Sequence, residues 1–194
     1  MPVDARHVVL YAVEEVSGRP NGKTYIQKLC FFVSTLIGEP LGFRAHYYGP
    51  YSEQVSAELA FLTAGGFLTE TRRGSGMAGS TGWEIARFDY SLTEEGRKAV
   101  KWLGEKFPEE SGKVREAIQR ILSAGDLDYV ALSFAAKTRW ILDHSGGPMT
   151  PAGIASAAEK FNWNVNGTDV NKASTFLQQL GLVEVIKVPS AARR

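Results

Sequence analysis

The chain has 194 residues, and its 44% hydrophobic and 22% charged content is typical of a folded globular protein. Its 22 Lys and Arg residues balance 21 Asp and Glu residues, so the overall charge gives no reason to expect a polyanionic partner. A single cysteine, Cys30, excludes an internal disulfide framework, and three dispersed histidines argue against a histidine metal cluster. No apolar run reaches the length of a membrane span and no leader opens the chain, so we expect a cytoplasmic protein with no membrane partner, metal or cofactor.

Hydrophobic periodicity predicts three helices in the first third of the chain. Apolar residues recur at helical spacing from Val3 to Val16 and from Lys23 to Leu36, and the second helix is apolar nearly all round, which is typical of a central helix. The stretch from Gly38 to Pro50 is predicted to be irregular. Ser52 is a good N-cap for a third helix, which Gly65-Gly66 ends.

A β-hairpin is predicted after the third helix. A strand from Phe67 to Arg73, a glycine-rich loop from Gly74 to Gly82 and a strand from Trp83 to Leu92 precede a fourth helix, which Thr93 caps. Three helices, a hairpin and a helix follow one another in the order of a winged helix. We therefore expect a mainly α protein with a small β-hairpin wing, whose winged-helix domain occupies residues 1–107.

The second half is predicted to be helical. Pro108 to Gly112 is interpreted as a linker, so that residues 108–128 hold a linker and a short helix and residues 129–194 form a helical C-terminal domain. Helices are predicted from Tyr129 to Leu142, after a Thr150 cap and after a Thr168 cap, followed by a strand from Leu182 to Val188.

The end of this second half repeats a pattern of the first. Leu177 to Val183 has the same layout as Leu62 to Leu68, in which a helix ends at glycine before an apolar exit. A second helix-turn-helix unit explains the repeat, and so does a chance likeness between two ordinary helix ends. The sequence leaves both interpretations open.

Two segments resemble a narrower group of proteins. They are Lys23-Thr24-Tyr25-Ile26-Gln27-Lys28-Leu29 and Tyr47-Tyr48-Gly49-Pro50-Tyr51-Ser52. Over roughly residues 20–70 the chain is similar to the prokaryotic YwgA-like proteins and, more distantly, to Panacea (SocA-like antitoxin) domains. The resemblance implies a regulator, an antitoxin or a phage-associated protein, and it carries over no catalytic residue.

Three features that suggest an enzyme have simpler explanations. Gly18 to Thr24 is one residue short of a phosphate-binding loop and follows a helical rather than a strand pattern, so we interpret it as a turn and a helix start. His46 has no neighbouring carboxylate in sequence to orient it, and Cys30 lies inside an apolar helix. We therefore expect no enzymatic activity.

Candidate binding residues fall in three parts of the sequence. The predicted third helix carries two carboxylates and no Lys or Arg, so major-groove binding through it is doubtful, although Gln54 has the amide that pairs with adenine. The turn before it offers exposed aromatic rings, and we expect Tyr51 to face inward. The candidates are Arg72, Arg73 and Arg87 on the hairpin, Gln54 on the third helix, Tyr47 and Tyr48 on the preceding turn, and Lys160, Asn171 and Lys172 in the second half, where Trp163, Asn164, Asn166, Lys187, Arg193 and Arg194 extend a polar, partly basic face.

Two functions remain open at this point. A DNA-binding transcription regulator or antitoxin-like protein, expected as a homodimer, is favoured by the winged-helix order and the basic hairpin. A protein–protein interaction module that neutralises a toxin or serves as a phage or defence adaptor is favoured by the balanced charge and the acidic third helix.

Overall fold

The computed structural model describes residues 3–75, 86–125 and 127–184. Within these ranges the protein is mainly helical and has two small antiparallel hairpins, which confirms the predicted fold class. The helices are α1 (Ala5–Glu15), α2 (Lys23–Ile37), α3 (Glu53–Ala64), α4 (Glu94–Lys106), α5 (Pro108–Ala124), α6 (Tyr129–Asp143), α7 (Pro151–Glu159) and α8 (Gly167–Gln179). The strands are β1 (Phe43–Arg44), β2 (Tyr51–Ser52), β3 (Leu68–Ser75) and β4 (Ala86–Leu92).

Side-chain caps set the starts of the helices. The hydroxyls of Ser52, Thr93 and Thr150 accept hydrogen bonds from backbone N–H groups in the first turns of α3, α4 and α7, as their sequence positions predict. The prediction for α8 is wrong by two residues, because Asn166 rather than Thr168 is the cap. Asn166 and Asp169 form a reciprocal capping box, which satisfies two backbone donors at once.

The predicted hairpin is present as β3 and β4. The strands pair from Leu68 opposite Leu92 to Ser75 opposite Ala86, with a register irregularity between Arg73 and Ser75. Gly74 and Ser75 belong to β3, so the first two residues of the predicted loop are in a strand. The rest of that loop, together with the start of the predicted second strand, lies outside the described residues.

Two further predictions need correction in the second half. The predicted linker from Pro108 to Gly112 is helical, because Pro108 occupies the first position of α5, where its missing N–H costs nothing, and two glutamates follow in the first turn. Phe107 alone separates α4 from α5. Residues 182–184 form no strand, and residues 185–188 of the predicted exit strand lie outside the described part of the chain.

The core is built around α2. Nine consecutive residues, Tyr25 to Val33, are buried, which confirms the prediction of a central helix. Helices α1, α5 and α6 pack against α2, and one continuous cluster of buried side chains extends from Val3 to Leu180. This cluster crosses the boundary at residue 107, and the division into domains stays a prediction. Among the described residues, no helix combines the length and apolar character needed to cross a bilayer.

Candidate partner-binding surfaces

The connection between α2 and α3 is a loop fixed from below by two neighbouring side chains of α2. We call residues 45–52 the strap. The side-chain amide of Gln27 donates to the Ser52 carbonyl at 2.8 Å, and the Ser52 backbone N–H donates to the Gln27 side-chain oxygen at 2.9 Å. Both residues are buried, so this reciprocal pair satisfies backbone groups that water does not reach.

Lys28 forms the second fixing point. Its Nζ donates to the Pro50 carbonyl at 2.6 Å, and the residue is only 1% exposed. Gly49 lies directly above it with φ +101°, and a Cβ at that position would come within 3.4 Å of Lys28 Cε and 3.1 Å of Lys137 Cγ. Gly49 therefore serves both an unusual backbone conformation and a close approach to two lysines.

The two segments on which the sequence resemblance rests thus contact each other. Gln27 and Lys28 belong to the first segment, whereas Pro50 and Ser52 belong to the second. Sequence reasoning singled out neither α2 residue as functional. One feature of the sequence could have identified them: a glutamine and a lysine lie within a helix predicted to be central. Such a helix buries polar side chains only when they have hydrogen-bond partners.

The electrostatics of this junction are unusual. Burial, and secondly the positive charge of Lys137, lower the pKa of Lys28 to about 7. Burial also lowers the pKa of Lys137, against the opposing influence of Asp169. Among the described residues, no carboxylate forms an ion pair with Lys28. The Lys137 amine instead lies 5.5 Å from the Phe134 ring centre and 5.9 Å from that of Trp163.

The outer side of the strap presents aromatic rings. The Gly49 N–H and the Trp163 indole N–H both donate to the His46 carbonyl, at 2.9 and 2.7 Å, which joins the strap to the α7–α8 connection. Tyr47 is 66% and Tyr48 60% exposed, whereas Tyr51 is half-buried, with its ring tilted against that of His46 and the ring centres 4.9 Å apart. The predicted exposure of Tyr47 and Tyr48 is confirmed, and Tyr51 is less buried than predicted.

An open cleft of about 300 Å³ adjoins these rings. It is lined by Ala45, His46, Tyr47, Phe161 and Asn162. Asn162 has φ +55° because it ends α7 in a left-handed conformation, with the Trp163 N–H returning to the Ala158 carbonyl at 3.0 Å. The conformation of Asn162 is therefore that of an ordinary helix end.

The exposed face of α3 has little net charge. The Glu58 carboxylate accepts from Arg6 Nε at 3.0 Å, and the Glu53 carboxylate is paired with Arg44 from β1. Apart from Glu53 and Gln54, the exposed side chains of α3 are small or aromatic, namely Ala57, Ala60, Phe61 and Ala64. Gln54 is exposed in the first turn, where a Cβ at Gly42 would come within 3.3 Å of its amide nitrogen.

An apolar groove continues this face toward α4. Phe61 on α3 and Trp102 on α4 are each 55% exposed, and they border a depression of about 270 Å³ that also includes Phe67 and Ala99. The Arg6 guanidinium lies over the Phe61 ring at 4.9 Å. Exposed aromatic rings beside a groove are the features from which protein-binding hot spots are built.

The predicted basic residues lie in two separate regions. Arg72 is exposed on β3, and Arg73 stands opposite Arg87 in the strand register. Lys160, Asn171 and Lys172 are exposed on the α7–α8 unit, which packs on α6, whereas the hairpin packs on α1, α3 and α4. Trp163 is buried and Asn166 is a cap, so these two have structural roles. Lys187, Arg193 and Arg194 lie outside the described residues.

The residues that mimic a phosphate-binding loop have structural roles. The Asn21 side chain donates to the Tyr90 carbonyl at 2.7 Å and accepts from the Tyr90 N–H at 2.8 Å, which attaches the turn to β4. A Cβ at Gly22 would come within 3.1 Å of the Phe88 carbonyl, so the glycine is needed for this close approach. These contacts favour the interpretation as a turn and a helix start.

Neither a metal site nor a match to known proteins identifies the function. Within the described ranges, no group of three or more His, Cys, Asp or Glu side chains is placed to hold a metal ion. No family model matches the chain, and no curated protein matches it either.

Proposed function

We propose that this protein is a regulatory protein-interaction module, and that its partner binds the groove bordered by Phe61 and Trp102 together with the adjoining face of α3. The single observation that carries the proposal is the pair of half-exposed aromatic rings beside an apolar groove. Such rings lose little conformational entropy on binding and bury a large apolar area, which makes them effective anchors for a protein partner.

The charge on α3 supports a protein partner over DNA. In a winged-helix reader of DNA the third helix enters the major groove, where basic side chains reach phosphates. Here the two carboxylates of α3 are already paired with Arg6 and Arg44, and the other exposed side chains of the helix are Gln54, Phe61 and three alanines. A toxin, or a phage or defence factor, as the sequence resemblance implies, is a partner of this kind.

The groove is tested by replacing its two aromatic rings. We expect Phe61→Ala and Trp102→Ala each to weaken partner binding by tenfold or more, because hot-spot truncations exceed about 1.4 kcal/mol. The measurement is quantitative recovery from nuclease-treated host lysate, followed by titration of the purified partner. Tyr129→Ala, which removes an exposed ring from α6, is the matched control and should leave affinity unchanged. Equal affinity of all three variants and the wild type contradicts the proposal.

DNA binding is the second candidate, and one observation favours it. Three arginines are concentrated on the β3–β4 hairpin, and an independent group of polar and basic side chains is exposed on α7 and α8. A hairpin of this kind contacts the phosphate backbone without reading bases.

The double substitution of Arg72 and Arg73 by Ala tests this candidate. If the hairpin binds phosphates, affinity should fall alike for all DNA sequences, and the slope of log affinity against log salt should flatten by about one to two units. The control with the same change of charge is Lys101→Ala with Lys113→Ala, two exposed lysines on α4 and α5. A salt dependence equal to that of the wild type argues against hairpin–phosphate contacts.

A further inference from the structure

We propose that the strap is a proton-controlled latch, in which protonation of Lys28 beside Lys137 loosens residues 45–52 and with them the Tyr47–Tyr48 turn. This inference does not rest on the proposed function, because it concerns the conformation of a loop and not the partner that the loop or the groove would contact.

The geometry of the closed strap isolates Lys28 from water. Its amine lies under Pro50, to whose carbonyl it donates at 2.6 Å, and it is 1% exposed. An ammonium can donate three hydrogen bonds, and the described contacts supply one protein acceptor. A buried cation with one acceptor and no counter-ion is costly, so the closed strap favours the neutral amine.

The groups around Lys28 increase this preference. From α6, Lys137 is the charged group whose field disfavours the ammonium form of Lys28. The strap itself carries His46 and Tyr51, whose rings are tilted against each other, and from α8 Asp169 acts on Lys137. In the described residues, α1, α3 and α5 supply no charged group that shifts Lys28. The net environment is therefore cationic and dry.

Opening the strap exposes the Lys28 amine to water and so removes the cost of charging it. Water then solvates the ammonium, and the pKa of Lys28 returns to the ordinary lysine range near 10.4. With the strap closed the pKa is about 7, so between these values the open state binds more protons than the closed state. The closed strap therefore becomes more stable relative to the open strap as the pH rises from 7 toward about 10.4. This gain in stability is lost as the pH falls back to 7.

The opening equilibrium is measurable by hydrogen exchange. The Ser52 N–H, bonded to Gln27, and the Gly49 N–H, bonded to His46, report on the strap, and the Leu29 N–H in buried α2 reports on global unfolding. After correction for the intrinsic exchange rate, we expect the opening constant of Ser52 to fall roughly tenfold between pH 7 and pH 8.5. We also expect it to exceed that of Leu29 throughout, because the strap opens without the core.

Four variants separate the latch from other causes. Lys28→Met should abolish the pH dependence at Ser52. Lys137→Met, which leaves the buried lysine in place, should move that dependence to higher pH by about half a unit or more. His46→Gln should leave it unchanged, which excludes the strap's own histidine as the source of the pH dependence. Lys101→Met, an exposed lysine on α4, is the control for general charge effects and should also have no effect.

The titration of Lys28 itself completes the test. In full-length protein with isotope-labelled lysines, NMR should show one side chain titrating near pH 7, and the signal should disappear in Lys28→Met. Three results overturn the proposal. The first is that Lys28 titrates with the exposed lysines, and the second is that Ser52 and Leu29 have equal opening constants. The third is that the pH dependence at Ser52 survives in Lys28→Met or is changed by His46→Gln. Should Lys28→Met fail to fold, the shift in Lys137→Met and the outcome for His46→Gln decide the question.

Discussion

Gly96→Ala should destabilise the protein by about 3 kcal/mol, since overpacking against backbone cannot be relieved by a side-chain movement. Gly96 lies in the first turn of α4, and a Cβ there would overlap the carbonyl oxygen of Phe67 and come within 3.0 Å of Leu92 Cδ2. The same carbonyl accepts the Thr93 N–H at 3.0 Å, so α4 cannot move away without losing its attachment to the hairpin. Denaturant unfolding measures the change in free energy.

A matched glycine gives the opposite expectation. Gly112 lies inside α5, and a Cβ there would meet nothing within 4 Å. Gly112→Ala should therefore stabilise the protein by roughly 0.5–1 kcal/mol, which is the difference in helix propensity between the two residues. Similar effects of the two substitutions would show that the contact between α4 and the base of the hairpin is not tight.

Gln27→Leu should cost about 2 kcal/mol of stability, because it leaves the buried Ser52 N–H without its acceptor and removes the side-chain donor to the Ser52 carbonyl. Leucine is close to glutamine in volume, so packing changes contribute little. Ser52 is also the cap of α3 and its hydroxyl donates to the Leu41 carbonyl, so the damage should spread to the start of α3. Unfolding midpoints and exchange at the Val55 N–H are the measurements.

An exposed glutamine provides the comparison for this substitution. Gln178 lies on the outer face of α8, and Gln178→Leu should change the free energy of unfolding by less than about 0.5 kcal/mol. If Gln27→Leu has an equally small effect, the strap is held by its own turn and by Trp163, and the reciprocal pair with Ser52 is dispensable.

The elements that the sequence predicts correctly are those determined by residues close together in the chain. Helices such as α2 and α4 were predictable because periodicity and a capping residue are encoded within a few positions. Local signals failed where two residues competed for one role, as Asn166 and Thr168 did, or where a proline that can break a helix also starts one, as at Pro108. The two-residue strands β1 and β2 carry no period that a sequence can reveal.

The candidate surfaces were less predictable than the fold. The sequence predicts exposure for Tyr47 or Tyr48, and both are exposed, but the groove at Phe61 and Trp102 combines helices that are far apart in sequence. The placement of Lys137 beside Lys28 likewise depends on the way α6 packs against α2, and the hydrogen bond from Lys28 to Pro50 depends on the path of the strap. A lysine in an apolar helix indicates that its amine has a hydrogen-bond partner within the protein, but the sequence does not identify that partner.

The burial of α2 has a consequence for synthesis of the chain. Phe32 in α2 meets Phe176 in α8 edge to face, with ring centres 5.4 Å apart, so a helix made early is covered by one made much later. Until α8 leaves the ribosome, the apolar surface of α2 has no complete cover, and a nascent chain exposes it to other proteins. Contacts this distant in sequence also slow folding after release, because a long loop must close before they form.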